Sequence, residues 1–188
     1  MHNRILPLTG FVLAGGASRR MGRPKAELIL GGRTMLERQT RRLGKLAGRV
    51  AVVGFQPDGG KDFDVALFRD LVPGRGPLGG IYTGLVQTRT EYNLFLGCDM
   101  PFVNRRLLSY LVRCAMAASA DATVPESCDG RLQTLCAVYR RRARWAVRAS
   151  LAAGNNKLSS FFRKVECEII PWRDLARAGG SRSRELSP

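Results

Sequence analysis

Short apolar segments alternate with amphipathic segments along this chain of 188 residues, and this alternation is the strongest constraint on its fold. The uncharged segment 93–97 is typical of a buried strand, whereas segment 34–47 has apolar residues at helical spacing and a capping-box pair, Thr34 and Glu37. The basic residues predicted to face solvent on this helix are Arg38, Arg41, Arg42 and Lys45. Strands are predicted at residues 10–14, 49–54, 64–68, 93–97, 121–125, 132–140 and 167–170, and helices at residues 34–47, 76–88, 104–118, 142–153 and 158–164. This order predicts an α/β fold of three layers, with helices on both faces of a mainly parallel sheet.

The length and the composition of the chain favour a single domain. No linker rich in Pro, Gly and Ser interrupts the alternation, and nothing repeats at a spacing of 20–50 residues. Residues 177–188 are rich in Gly, Ser and Arg, and we expect them to form a disordered tail. Residues 1–176 are therefore predicted to form the domain.

The charge of the chain favours an anionic partner. Lys and Arg number 31 against 15 Asp and Glu, which gives a net charge of +16. No apolar run reaches the roughly 20 residues that a membrane span needs, so we expect no membrane partner. The basic segment 140–148 is interpreted as a solvated helix face, because only Tyr139 and Trp145 accompany its charge, and nucleic acid is not the expected ligand.

The cysteines and the single histidine exclude several chemistries. An odd count of 5 Cys without a C-x-x-C pair argues against a disulfide framework, and one His argues against a zinc site and a His-based triad. Unpaired thiols are typical of a reducing compartment. We therefore expect a cytoplasmic protein.

A glycine-rich, basic segment follows the first predicted strand. Gly15 and Gly16 let backbone N–H groups approach a phosphate closely, and Arg19, Arg20 and Lys25 can neutralise its oxygens. The segment matches neither the Walker A pattern nor G-x-G-x-x-G. A basic surface turn is the alternative, but its position directly after a buried strand favours a phosphate site.

Two further segments carry residues suited to nucleotide chemistry. Asp99 follows the predicted strand 93–97, where its carboxylate could bind Mg²⁺ or cap the helix that starts near Asn104. Segment 74–80 contains four glycines at a helix start, which can bind an anion or form a simple loop. Asp70, just before it, could bind a ribose or a guanine edge, or serve as a turn or salt-bridge partner. The residues alone leave these alternatives open.

In combination these segments resemble the molybdenum cofactor guanylyltransferases of the MobA type. The first motif, Leu-Ala-Gly-Gly-x-Ser-x-Arg-Met-Gly-x-x-Lys, spans residues 13–25, and Gly-Pro-Leu-x-Gly and Cys-Asp-x-Pro follow at 76–80 and 98–101. Segment 132–139, with Gln133, and segment 154–159 are also similar to segments of that family. The likeness covers roughly residues 9–164 and implies a Rossmann-like fold of the nucleotide-diphospho-sugar transferase type.

The resemblance implies that the domain is a nucleotidyltransferase that joins GTP to a molybdopterin-type cofactor, giving the guanine dinucleotide and pyrophosphate. Its implied partners are these two substrates, with molybdenum cofactor biosynthesis proteins or acceptor molybdoenzymes as protein partners, and its implied cofactor is Mg²⁺. The implied nucleotide-binding residues are Leu13, Ala14, Gly15, Gly16, Lys25, Asp70 and Asp99, with Asp99 also as the metal ligand. The implied catalytic residues are Lys25, Asp99, Arg19 and Arg20. An attacking phosphate is already an anion, so the reaction needs no general base.

Three departures from the family pattern leave alternatives open. Gly54 stands where a base-contacting Asn is common, Thr134 replaces a Pro, and segment 167–175 lacks a late Asn-rich motif. The alternatives are a family member that uses CTP or a sugar phosphate, and a non-catalytic module that binds a nucleotide or cofactor.

Overall fold

A computed structural model of the chain describes residues 6–15, 24–57, 63–101 and 103–179. Its strands are β1 Leu6–Leu13, β2 Ile29–Leu30, β3 Arg33–Thr34, β4 Ala47–Val53, β5 Ala66–Phe68, β6 Tyr92–Gly97, β7 Ala122–Pro125, β8 Cys136–Arg140 and β9 Cys167–Ile170. Its α-helices are α1 Met35–Gly44, α2 Gly76–Gln87, α3 Arg105–Ala117, α4 Arg144–Ala152, α5 Leu158–Phe162 and α6 Trp172–Gly179.

One twisted sheet organises the described part of the chain. Its strand order is β5-β4-β1-β6-β8-β7-β9, and β2 pairs separately with β3. Strand β1 is parallel to both β4 and β6, whereas β8 is antiparallel to β6 and β7. The prediction of a mainly parallel sheet is therefore confirmed.

The two faces of the sheet carry separate apolar cores. Leu8 and Val12 of β1 pack in the core shared with α1, α3 and α6, while Phe11 packs in the core shared with α2, α4 and α5. Phe11 stacks on Phe95 of β6 at 4.9 Å between ring centroids. A Cβ on Gly84 of α2 would lie 2.6 Å from the Phe95 ring, so a glycine is needed where this helix crosses the sheet. This arrangement confirms the three layers.

Several predicted boundaries differ from the structure. Strand β1 begins at Leu6, four residues earlier than predicted, and α1 ends at Gly44, where the chain turns directly into β4. Strand β8 begins only at Cys136, because segment 126–135 forms a loop that returns from β7. The predicted capping box is confirmed, with Thr34 and Glu37 each accepting a hydrogen bond from the other's backbone N–H.

The end of the chain also differs from expectation. Helix α6 was not predicted, and it extends to Gly179, beyond the expected start of the tail at residue 177. Its fully buried Leu175 packs in the core beside α3. Residues 180–188 lie outside the described part, so the disorder of the tail and the domain boundary remain predictions.

Candidate active site

The carboxyl ends of three parallel strands lie side by side at one edge of the sheet. Leu13 pairs in register with Val53 of β4 and with Gly97 of β6. Two hydrogen bonds continue the ladder beyond the strands, from Ala14 N–H to Val53 O at 2.9 Å and from Cys98 N–H to Leu13 O at 3.0 Å. Ligands of open α/β sheets bind at this edge, so Ala14 and Gly15 after β1, and Asp99 after β6, occupy the expected place.

Lys25 and Asp99 meet at this edge although 74 residues separate them in sequence. The distance from Lys25 Nζ to Asp99 Oδ2 is 3.2 Å, and each side chain is 47% exposed. Lys25 begins a short 3₁₀ turn whose next residue, Ala26, is buried in the core and anchors it. The structure therefore brings these two predicted residues together in a site open to a ligand.

Asp99 is held against the tip of β6. A Cβ on Gly97 would lie 2.9 Å from Asp99 Oδ1, so the carboxylate folds back over a position that only glycine leaves open. The alternative of Asp99 as the cap of the following helix is wrong, because Asn104 Oδ1 accepts the hydrogen bond from Leu107 N–H at 2.9 Å. The carboxylate thus remains available beside Lys25.

The neighbouring thiol is unsuited to act as a nucleophile. Burial, followed by the negative charge of Asp99, raises the pKa of Cys98 to about 11. The neutral thiol therefore predominates near pH 7, and Cys98 serves as a buried apolar side chain.

The turn after β1 is packed against the turn after β4. Gly54 has φ +80°, and a Cβ there would lie 2.8 Å from the Gly15 Cα. Gly54, where the resemblance expects an Asn, is therefore a position at which the backbone of β4's following turn closely approaches that of Gly15. Gly15 itself is exposed, so one side of this turn remains free to meet a ligand.

Asp70 joins the end of β5 to the start of α2. Its Oδ1 accepts hydrogen bonds from Val72 N–H at 3.0 Å and from the Thr83 hydroxyl at 3.1 Å. A Cβ on Gly79 would lie 3.3 Å from the second carboxylate oxygen, Oδ2. Asp70 is thus a turn partner through one oxygen, and its proposed contact with a nucleoside remains a prediction.

Other family-like segments also reach this edge. A Cβ on Gly80 would lie 3.0 Å from Leu13 Cδ2, which places the first turn of α2 against the end of β1. Arg75, just before α2, donates to Asn156 Oδ1 at 3.3 Å. In the loop before β8, Gln133 donates from Nε2 to Ser127 Oγ at 3.0 Å. The predicted residues Gly16, Arg19 and Arg20 lie outside the described part of the chain.

Sequence reasoning missed two polar residues beside the site, Gln39 and Arg42 of α1. Gln39 is fully buried and donates to Met100 O at 2.7 Å, and Arg42 donates to Pro101 O at 2.8 Å. The prediction that Arg42 faces solvent is therefore wrong. A signal was present, since Gln39 falls on the apolar stripe of α1 three residues after Leu36 and four before Leu43.

The described residues form neither a cluster of metal-ligating side chains nor a helix able to cross a membrane. Among residues 6–15, 24–57, 63–101 and 103–179, no group of three or more His, Cys, Asp and Glu could hold a metal ion. In the same part of the chain, no helix has the length and apolar character to cross a membrane.

The fold and the paired charges at its edge define an α/β protein of the nucleotide-binding class, with glycine-rich turns beside the strand ends. Residues 10–169 match the model of the MobA-like NTP transferase domain, and the chain belongs to that family. It is accordingly a nucleotidyltransferase, and the resemblance seen in the sequence is confirmed.

Relatives agree with this assignment. The chain is 33% identical over 171 residues to the "Probable molybdenum cofactor guanylyltransferase" of Pelotomaculum thermopropionicum, with 91% of this chain and 82% of that protein covered. It is 32% identical over 169 residues to the molybdenum cofactor guanylyltransferase of Desulfosudis oleivorans, with coverages of 89% and 83%.

A solved structure supports the fold. The crystal structure of molybdopterin-guanine dinucleotide biosynthesis protein A from Archaeoglobus fulgidus matches with a TM-score of 0.81 and 21% identity, covering 95% of this chain and 90% of that one. The predicted nucleotide-diphospho-sugar transferase type of fold is thereby confirmed.

Proposed function

We propose that this protein transfers GMP from GTP to a molybdopterin-type molybdenum cofactor, releasing pyrophosphate. The observation that carries the proposal is the convergence of Lys25 and Asp99, 3.2 Å apart, at the carboxyl edge of the sheet. The family and the names of its relatives supply the substrate class. A lysine and a carboxylate at one open site suit a nucleoside triphosphate bound with a metal ion, because the ammonium can meet the phosphates and the carboxylate can meet the metal.

The residues divide between the parts of the nucleotide. The backbone of Leu13, Ala14 and Gly15 would contact the nucleoside and its phosphates, because this turn is exposed at Gly15 and held in place by Gly54. Asp70 would accept a hydrogen bond from the nucleoside through Oδ2. Gly16, Arg19 and Arg20 complete the phosphate-binding set by sequence alone.

Lys25 and Asp99 hold each other until substrate arrives. Their ion pair is half exposed, so its net stability is small and its exchange for a ligand costs little. In the substrate complex the Lys25 ammonium would turn to the triphosphate oxygens, and the Asp99 carboxylate would be released for a cation. The ion pair therefore holds both charged groups at the site, and its separation on substrate binding costs little free energy.

The donor set at Asp99 fits Mg²⁺. This ion usually takes one or two carboxylates, keeps several waters and binds substrate phosphates, and a half-exposed carboxylate at a strand tip permits all three. A bound Mg²⁺ would neutralise phosphate charge and reduce the repulsion between two anionic substrates. Asp99 is its proposed protein ligand.

The reaction requires alignment and charge neutralisation from the protein. An oxygen of the cofactor's terminal phosphate forms a bond to the α-phosphorus of GTP, and the bond from that phosphorus to the bridging oxygen breaks. Pyrophosphate leaves with the bonding electrons, and Lys25 would stabilise the charge that it gains. The attacking phosphate is ionised, so no residue has to remove its proton.

Transfer of CMP from CTP is the second candidate function. It is favoured by Gly54, which lacks the side chain that the family resemblance expects to contact guanine. A sugar phosphate in place of the cofactor, and a module that binds nucleotide without turnover, are further outcomes that the same assay separates.

Pyrophosphate release with GTP or CTP, Mg²⁺ and molybdopterin-type cofactor tests the proposal. We expect turnover with GTP, and a loss of roughly 10²–10³-fold in kcat for Lys25→Ala and for Asp99→Asn. Lys45→Ala and Asp64→Asn are the matched controls, because both residues are exposed and lie away from the carboxyl edge. Normal rates in both site variants, or turnover with CTP alone, would overturn it.

We propose the cytoplasm as the site of the reaction, because Cys98 and Cys136 are thiols rather than disulfides, which is typical of a reducing compartment. Molybdenum cofactor biosynthesis proteins and acceptor molybdoenzymes are its proposed protein partners, because they would supply the cofactor or receive the product.

A further inference from the structure

Two polar side chains of α1 brace the loop that carries Asp99. Gln39 Nε2 donates to Met100 O at 2.7 Å, and Arg42 Nη2 donates to Pro101 O at 2.8 Å. A third bond, from Arg42 Nη1 to Gln39 Oε1 at 2.6 Å, joins the two side chains. Helix α1 thus donates hydrogen bonds to the two carbonyl groups that directly follow Asp99 in the sequence.

The position of Gln39 makes this brace stiff. Its side chain is fully buried on the face of α1 that also carries Leu36 and Leu43. A buried amide is costly unless its polar atoms are paired, and here the amide nitrogen and the oxygen each have a partner. Movement of the loop away from α1 would separate the buried Gln39 amide from Met100 O, and a buried amide without a partner is costly.

The brace complements the contacts on the other side of Asp99. Met100 N–H donates to Gly97 O at 3.3 Å, so residues 97–100 form a tight turn at the strand tip. The carboxylate itself closes over Gly97 and reaches Lys25. The loop is therefore held by the end of β6, through Gly97, and by α1, through Gln39 and Arg42.

We infer that Gln39 and Arg42 are positioning residues, which hold the Asp99 carboxylate where a nucleotide-bound cation would meet it. The inference rests on the proposed function. A carboxylate on a loose loop would have to be ordered at each binding event, whereas this one is ordered beforehand. Groups that hold a metal ligand in place contribute to metal affinity without touching the ion.

The test compares the GTP affinity of the intact protein in Mg²⁺ with its affinity in EDTA, measured by isothermal titration calorimetry. The dissociation constant in EDTA divided by the dissociation constant in Mg²⁺ reports how much the nucleotide-bound metal strengthens binding. This quotient is the ratio used below. We expect Gln39→Leu, which removes both hydrogen bonds at similar size, to reduce this ratio roughly ten- to a hundredfold. Affinity in EDTA should change far less.

A second variant addresses Arg42. Arg42→Lys keeps the charge but presents a single ammonium, which cannot reproduce the two-pronged contact with Gln39 and Pro101. We expect an intermediate reduction of the ratio. The matched control is Arg41→Lys, at an exposed position of the same helix, with the wild-type ratio expected.

Loss of stability is separated from loss of positioning by Leu43→Val. This variant removes a buried methylene from the same helix face and lowers the melting temperature without touching the loop. Below its melting temperature it should keep the wild-type ratio. An equal reduction in Leu43→Val, or an unchanged ratio in Gln39→Leu, would overturn the positioning role.

Asp99→Asn distinguishes the two levels of the argument. If Asp99→Asn lowers the ratio while Gln39→Leu does not, only the positioning role fails. If Asp99→Asn leaves the ratio unchanged, the proposed metal site fails and the positioning role is overturned with it.

Discussion

Gly54 and Gly15 touch through their backbones, so closely that a Cβ on Gly54 would lie 2.8 Å from the Gly15 Cα. Gly54 also has φ +80°, a conformation that other residues adopt at a cost. The turns after β1 and β4, at the carboxyl edge of the sheet, therefore depend on each other's lack of a side chain.

Gly54→Ala should destabilise the fold by roughly 1–3 kcal/mol, because it combines a left-handed backbone with a backbone contact that cannot yield. Urea denaturation gives the free energy of unfolding. Gly44→Ala is the control, since no described atom outside its own helix turn and neighbouring residues lies within 4 Å of its added Cβ and its φ is ordinary. A Gly54→Ala protein as stable as the control would contradict this packing.

Lys25→Ala should separate stability from activity. The Lys25–Asp99 pair is half exposed, and such pairs contribute about 0–1 kcal/mol. We therefore expect a free energy of unfolding within about 1 kcal/mol of wild type, alongside the large loss of turnover. A loss of turnover accompanied by unfolding would instead assign Lys25 a structural role.

Asp70 should respond differently to two substitutions. Asp70→Asn keeps an oxygen for Val72 N–H and Thr83, so its stability should match that of wild type. Its KM for GTP should rise, because the amide nitrogen that replaces Oδ2 cannot accept a hydrogen bond from the nucleoside. Thr83→Val leaves polar groups of the turn without the hydroxyl and should cost about 1–3 kcal/mol. Unchanged KM in Asp70→Asn would remove Asp70 from the nucleotide site.

Alkaline pH should weaken the fold through the buried thiols. Burial raises the pKa of Cys98 to about 11 and that of Cys136 to about 12, above their ordinary value of 9.0. Between pH 9 and the raised pKa of each thiol, the unfolded chain has lost a proton that the folded chain keeps. The free energy of unfolding therefore decreases as pH rises, by about 1 kcal/mol per thiol near pH 10.

Urea denaturation at two pH values measures this effect. Cys136→Ala should lessen the loss of stability between pH 8 and pH 10, whereas Cys128→Ala, at an exposed position, should leave it unchanged. A Cys136→Ala protein with the wild-type pH dependence would refute the assignment.

Local periodicity was sufficient to predict the fold class, because strands such as β6 are continuous apolar runs and α1 has a complete capping box. It was insufficient for the loop before β8. Segment 132–135 runs into the apolar strand β8 without a break in the sequence, but Gln133 N–H donates to Pro125 O and Leu135 O accepts from Gly97 N–H across the chain reversal. Short pairs such as β2 and β3 are too brief to leave a periodic signal.

In the candidate site, too, local sequence indicates some residues, whereas their contacts depend on tertiary structure. Lys25 and Asp99 could be predicted because each follows a recognisable strand or motif, and parallel strands bring such positions to one edge. Their contact depends on tertiary structure, as do the carbonyl groups bound by Gln39 and Arg42. A hydrogen bond to a backbone carbonyl 59 or 61 residues away leaves no pattern in a single sequence.

The reversed direction of β8 brings the loop before it to the carboxyl edge of the sheet, beside the end of β6. Since β8 runs against β6, residues 126–135 approach the edge from the side opposite the turns after β1 and β4. Substitution or lengthening of this segment would leave the contact between Gly15 and Gly54 unchanged. Because β8 is antiparallel, the open edge beside Asp99 has a second border, built from a segment remote in the sequence from the turns after β1 and β4.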